Sequence, residues 1–110
     1  MNEYQEKYLP IGSVVLLKNG KKRLMITGYA IVDTVNKDKI YDYCGCIYPI
    51  GVISTEQTLL FNHEDIKNIY AIGYQDEDYK EHIKKIKDFM TEDNINNILK
   101  KLQTDNSVKE

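Results

Sequence analysis

Residues 13–32 read "SVVLLKNGKKRLMITGYAIV", two apolar runs separated by Asn19-Gly20. That dipeptide best tolerates the two positive φ angles of a type I′ hairpin turn, so the stretch predicts strands at about 13–18 and 22–32 joined by a tight turn. Gly28 falls in the middle of the second run, where a missing side chain marks a bulge or sharp bend. A sheet carrying such a strand is small and strongly curved. Working outward, "DTVNKDK" (33–39) is polar and turn-rich and reads as an exposed, locally mobile loop. "YDYCGCIYPIG" (41–51) then resumes as a strand over about 40–48, ended by Pro49, which lacks an amide hydrogen, and by Gly51, which permits a turn conformation.

Alternation along that third strand places Tyr41, Tyr43 and Ile47 on one face and Cys44, Cys46 and Tyr48 on the other. The chain has two cysteines and two histidines. Cysteines at i and i+2 of a strand lie near the geometric limit for a disulfide, and His63 and His82 complete no finger or ribbon spacing for zinc. Both thiols therefore read as small buried apolar side chains, with no metal and no cofactor expected.

"ISTEQTLLFN" (53–62) reads as a loop with a short apolar segment. Asn62 is a good N-cap residue, and Glu64 and Asp65 suit the positive end of one helical turn, which competes with a reading of residues 62–65 as metal ligands or a general base. A further strand, "NIYAIGY" (68–74), follows. From residue 76 the period changes from two to 3.6. Tyr79, Ile83, Ile86 and Met90 form one amphipathic stripe behind an acidic start, with Asp78 and Glu81 as a possible capping box. Thr91 can cap a second helix, whose Ile95, Ile98, Leu99 and Leu102 repeat the stripe. "QTDNSVKE" (103–110) reads as a frayed tail. The second stripe either packs on the core or docks a protein partner, and these four residues are the partner-binding candidates.

The 110 residues fit one domain with one modest core: a β-rich part over 8–75, a helical segment over 76–103 and a tail over 104–110. An apolar fraction of 42%, a charged fraction of 29% and a net charge of −2 are those of an ordinary globular protein, with no global attraction to nucleic acid or anionic membrane. The start is polar and acidic, and no long apolar run occurs, so a cytoplasmic location without membrane insertion is the default expectation. Lys18, Lys21, Lys22 and Arg23 could form a small nucleic-acid patch, but a solvated turn is the better reading. The nine tyrosines must supply core and rim in a chain without tryptophan and with two phenylalanines. No nucleophile motif or phosphate loop is present.

"YLPIGSVVLLKNGKKRLMITGY", "YDYCGCIYPIG", "LLFNHEDI" and "IYAIGY", in this order and followed by an acidic cluster, resemble a small Gram-positive family labelled domain of unknown function four-one-seven-six. The resemblance covers roughly residues 8–80 and marks Gly12, Tyr41, Tyr43, Gly45, Tyr48, Pro49, Gly51, Phe61, Asn62, Asp65 and Gly73. It implies a gene beside a type VII secretion system and its toxin substrates, and a non-enzymatic cytoplasmic adaptor or chaperone that binds such a toxin. An immunity protein and a small-barrel nucleic-acid binder are the alternatives. The expected architecture is α+β: a small bent antiparallel sheet or SH3-like barrel of four to five strands, followed by two C-terminal helices.

Overall fold

The computed structural model describes residues 7–33, 39–54 and 57–108. Five antiparallel strands form one open sheet: β1 (Val14–Leu17), β2 (Leu24–Val32), β3 (Ile40–Ile47), β4 (Leu59–Phe61) and β5 (Ile66–Ala71). Their order is β4-β3-β2-β1-β5, a four-strand meander of β1 to β4 followed, after a single 3-10 turn at His63–Asp65, by β5 on the free side of β1. Two helices follow, α1 (Glu77–Phe89) and α2 (Glu92–Val108). The architecture is the α+β one expected, in its open, bent-sheet form.

The bend lies where Gly28 predicts it. The β2–β3 register slips between Ile26, opposite Gly45, and Gly28, opposite Cys44. Gly45 is needed for a different reason, close approach: a Cβ there would lie 2.6 Å from the Met25 carbonyl oxygen on the neighbouring strand. Two further irregularities between β1 and β5 curl the sheet's other half.

Leu24, Ile26, Tyr43, Phe61, Val15 and Ile66 line the inner face, and the segment Tyr8–Leu9 and Ile83 of α1 close over it. Tyr79, Ile86 and Met90 of the same helical stripe pack on this core as half-buried partners. Burying these apolar side chains stabilises the fold by roughly 1.5–3 kcal/mol each. Helix α1 is capped by Asp76, whose Oδ1 accepts the Tyr79 N–H at 2.9 Å. The cap therefore precedes the expected Asp78–Glu81 box, because Asp76 is the last residue in extended conformation. Thr91 caps α2 as expected, its Oγ1 accepting the Asn94 N–H at 3.3 Å.

Three expectations are corrected. The β1–β2 connection is not a type I′ turn: neither Asn19 nor Gly20 has a positive φ. The turn Leu17–Gly20, closed by Gly20 N–H donating to Leu17 O at 3.0 Å, opens a loop over 18–23, and β2 begins at Leu24 rather than at residue 22. The last strand starts at Ile66 and ends at Ala71, before Gly73. Helix α2 continues to Val108, through residues read as a tail. The mobility expected of "DTVNKDK" falls on 34–38, outside the described residues.

Candidate functional site

The sheet carries two polar and apolar constellations, one buried and one open. The buried one is built around Tyr8, Tyr29, Asp42, Tyr43, His63 and Tyr79. Tyr8 sits in the left-handed region at φ 64°, an unusual conformation for a residue with a side chain, and its neighbours hold it there. The Tyr79 hydroxyl donates to Tyr8 O at 2.6 Å, and the Tyr8 hydroxyl donates to Asp42 Oδ1 at 3.1 Å. Leu9 N–H donates to Tyr43 Oη at 3.0 Å, and the Tyr29 hydroxyl donates to Leu9 O at 2.6 Å. Four side chains from β2, β3 and α1 thus satisfy the backbone and hydroxyl groups of one buried segment, as burial requires.

Asp42 is itself buried. Its Oδ2 accepts the His63 N–H at 3.0 Å, and Lys7 Nζ lies 3.6 Å from Oδ1. Its own N–H donates to Asn62 Oδ1 at 3.0 Å, while the Asp65 carboxylate accepts the Asn62 N–H at 2.9 Å. The residues 62–65 therefore act as a cap and as a clamp on β3. Tyr43 Oη also meets His63 Nδ1 at 2.8 Å and its ring stacks on Phe61 at 5.3 Å. Burial pushes the Tyr43 phenol up, against the lowering effect of the backbone N–H groups facing it. For Tyr8, burial and then the Asp42 charge and hydrogen bond push the same way. Both phenols stay protonated across the physiological range and serve as hydrogen-bonding posts.

The cysteines are structural neighbours of the bulge. Cys46 is buried and Cys44 half-buried, both free, and Cys44 Sγ sits 3.5 Å from Thr27 Oγ1. A Cβ at Gly28 would approach that sulfur to 2.9 Å.

The open constellation lies beside the 18–23 loop. Tyr48 N–H donates to Arg23 O at 2.9 Å, setting β3's end beside the loop. The Arg23 guanidinium lies 5.2 Å from the Tyr48 ring centroid and 5.8 Å from that of Tyr70 on β5, a cation held between two aromatic faces. Next to it, Lys22, Ile47, Ile50, Gly51, Ile53, Gln57 and Leu59 line a groove of about 350 Å³. A second hollow of about 210 Å³, bordered by Leu17, Gly20, Lys21 and Leu24, shares Lys22, Ile47 and Leu59 with it. Gly51, at φ 85° and donating its N–H to Ile47 O, turns the chain that forms the groove's outer wall.

A family model, that of a domain of unknown function (DUF4176), matches residues 8–82. The chain belongs to the DUF4176 family. No curated protein and no solved structure matches it. The DUF4176 match takes in the whole sheet and the first turns of α1, so both constellations lie within it and α2 lies outside.

The structure disperses the marked positions of the DUF4176 blocks over both constellations. Tyr43, Phe61, Asn62 and Asp65 belong to the buried end; Tyr48, Pro49 and Gly51 belong to the open one. Tyr41 is half-buried on β3, and Gly12 and Gly73 meet where the N-terminal segment passes β5's end, Gly73 N–H donating to Ser13 Oγ at 3.0 Å. The candidates Ile95, Ile98, Leu99 and Leu102 are all half-buried on one stripe of α2, and none belongs to the core cluster. Sequence reasoning missed Tyr8, Asp42, Ile50 and Ile53. The signal available for the last two was an aliphatic run, "IYPIGVI" (47–53), continuing past a turn.

Proposed function

We propose that this chain is a non-enzymatic protein-binding module, an adaptor or chaperone that holds a type VII secretion substrate in the cytoplasm before export. The observation that carries the reading is the leftover stripe of α2. Helix α1 completes the core through Ile83, Tyr79, Ile86 and Met90, while Ile95, Ile98, Leu99 and Leu102 remain partly open to solvent. A complete apolar stripe beyond a closed core is what a helix-in-groove or helix-pairing contact uses. The link to secretion rests on the resemblance of the four sequence blocks, which is a family-level analogy.

Co-expression with the helical N-terminal region of a toxin encoded beside this gene tests the reading. A stable complex is expected, and it is lost in the chain ending at Met90, which keeps its cooperative unfolding. Absence of any complex, together with normal export after gene deletion, refutes it. Retention of the toxin's catalytic end instead, with protection of cells, assigns the immunity role.

A further inference from the structure

We propose that the groove bordered by Lys22, the 47–53 stretch, Gln57 and Leu59 is a second docking site, taking an extended acidic segment of a protein partner that carries aliphatic side chains. This goes beyond the α2 reading, since no lining residue of the groove belongs to α2.

The floor and walls are aliphatic and exposed without a covering element. Ile53 is 71% exposed, Val52 62% and Ile50 59%, in one run beside Leu59. Apolar side chains that protrude together, rimmed by polar groups, mark interaction surfaces rather than chance exposure. A groove of about 350 Å³ is also in the size range of sites that take ligand side chains.

Charge selects the occupant. Lys22 lines the groove, Lys21 and Lys22 line the hollow beside it, and Arg23 is next in the chain, in a protein whose net charge is −2. Lys21 and Lys22 have no ion-pair partner among the described residues, and the Arg23 guanidinium, set over the Tyr48 and Tyr70 rings, adds a third positive charge beside them. Tyrosine and arginine beside an apolar hollow are residue types enriched at interface hot spots. An acidic segment is thus steered by the rim and retained by the hollow.

The strand order supplies the extended conformation. β4 is an edge strand, paired on β3's side only, and its first residue, Leu59, lines the groove. A segment laid along that edge can form main-chain hydrogen bonds while alternate side chains drop into the hollow. A bilayer would meet the protruding Ile50, Val52 and Ile53 but would leave the groove itself, with Ile47 and Leu59, unfilled. A nucleic acid strand would need stacking rings inside the groove, and its lining is aliphatic.

The test is selection of a random twelve-residue phage-displayed peptide library on the immobilised full-length chain, followed by binding of the selected peptide with a fluorescent label. Enriched sequences are expected to combine Asp or Glu with Leu, Ile or Val. Lys22→Glu and Ile53→Asp, both at exposed positions, are each expected to weaken that peptide by about tenfold or more without changing the urea midpoint. Binding of the wild type is expected to fall as salt rises. No enrichment, enrichment of basic peptides, or a selected peptide indifferent to both variants overturns the proposal. So does sedimentation of the chain with phosphatidylserine vesicles, lost in Ile53→Asp, when no peptide is enriched. Loss of peptide binding in these variants with the toxin complex intact, or the reverse, separates this site from that of α2.

Discussion

Tyr43→Phe isolates one oxygen atom in the buried network. The phenylalanine keeps the ring stacked on Phe61, so the packing of a residue with 0% exposure is preserved and only the hydroxyl is lost. Two groups then lose a partner: the Leu9 N–H at 3.0 Å and His63 Nδ1 at 2.8 Å. Leu9 is likewise 0% exposed, so water cannot replace the acceptor, and a stranded buried donor costs about 1–3 kcal/mol. The second bond adds about 0.5–1.5 kcal/mol net. The total is about 1.5–4.5 kcal/mol, which in a domain of this size lowers the melting temperature by roughly 6–25 °C. Urea unfolding followed by far-UV circular dichroism measures it, with Tyr41→Phe as the control, expected within about 0.5 kcal/mol of wild type. A Tyr43→Phe loss no larger than that of the control would refute the claim that this hydroxyl anchors the N-terminal segment.

Gly20→Ala is expected to be neutral or stabilising by up to about 1 kcal/mol, because the position has no positive φ and its Cβ would meet nothing closer than 3.6 Å; a clear drop in melting temperature would restore the tight hairpin. Gly45→Ala is expected to cost about 1–3 kcal/mol, since the added methyl must displace the Met25 carbonyl; an unchanged urea midpoint would contradict that approach. Alkaline titration gives a signed prediction. Tyr8 and Tyr43 have folded-state pKa values raised above the ordinary 10.0, so their contribution is complete below pH 10 and is lost as pH climbs beyond it, where the unfolded chain releases its protons first. Melting temperature against pH should fall above pH 10, less steeply in Tyr43→Phe; an identical slope in the variant would show that Tyr43 does not contribute.

The elements that depend on period were legible. Gly28 marked the bulge, the 3.6-residue stripe of Tyr79, Ile83, Ile86 and Met90 marked α1, and Thr91 marked the start of α2, because each signal lies within a few residues of its consequence. The buried network was not legible. Tyr8 meets Asp42 across 34 residues and Tyr79 across 71. Nine tyrosines offer many equivalent partners, and nothing in the local sequence says which hydroxyls converge on Leu9. Asp42 shows the limit well: nothing between its two neighbouring tyrosines signals burial, which comes from Tyr8, His63 and Lys7 arriving from elsewhere.

The misread hairpin is more instructive, since its failure and the open groove have one cause. Asn19-Gly20 favours a two-residue turn locally, and β1 and β2 do pair at Val14 and Val15. On the other side of β1, β5 pairs along its whole length from Val14 to Leu17, so that beyond Val15 it is the partner that remains, and Asp65 O accepts the Lys18 N–H at 2.8 Å. Tied there to the 3-10 turn, the chain returns to β2 by a six-residue path through Lys21 and Lys22. That path borders the hollow, with Gly20, Lys21 and Lys22 on one side and Leu17, Leu24, Ile47 and Leu59 of four strands on the other. Local propensity is overruled where the tertiary fold builds a surface, and such conflicts concentrate at functional positions. A variant that restored the tight turn by deleting residues 21 and 22 would therefore close the hollow while shortening the path that β5 enforces. It should lose the selected peptide and stability together, whereas Gly20→Ala should lose neither.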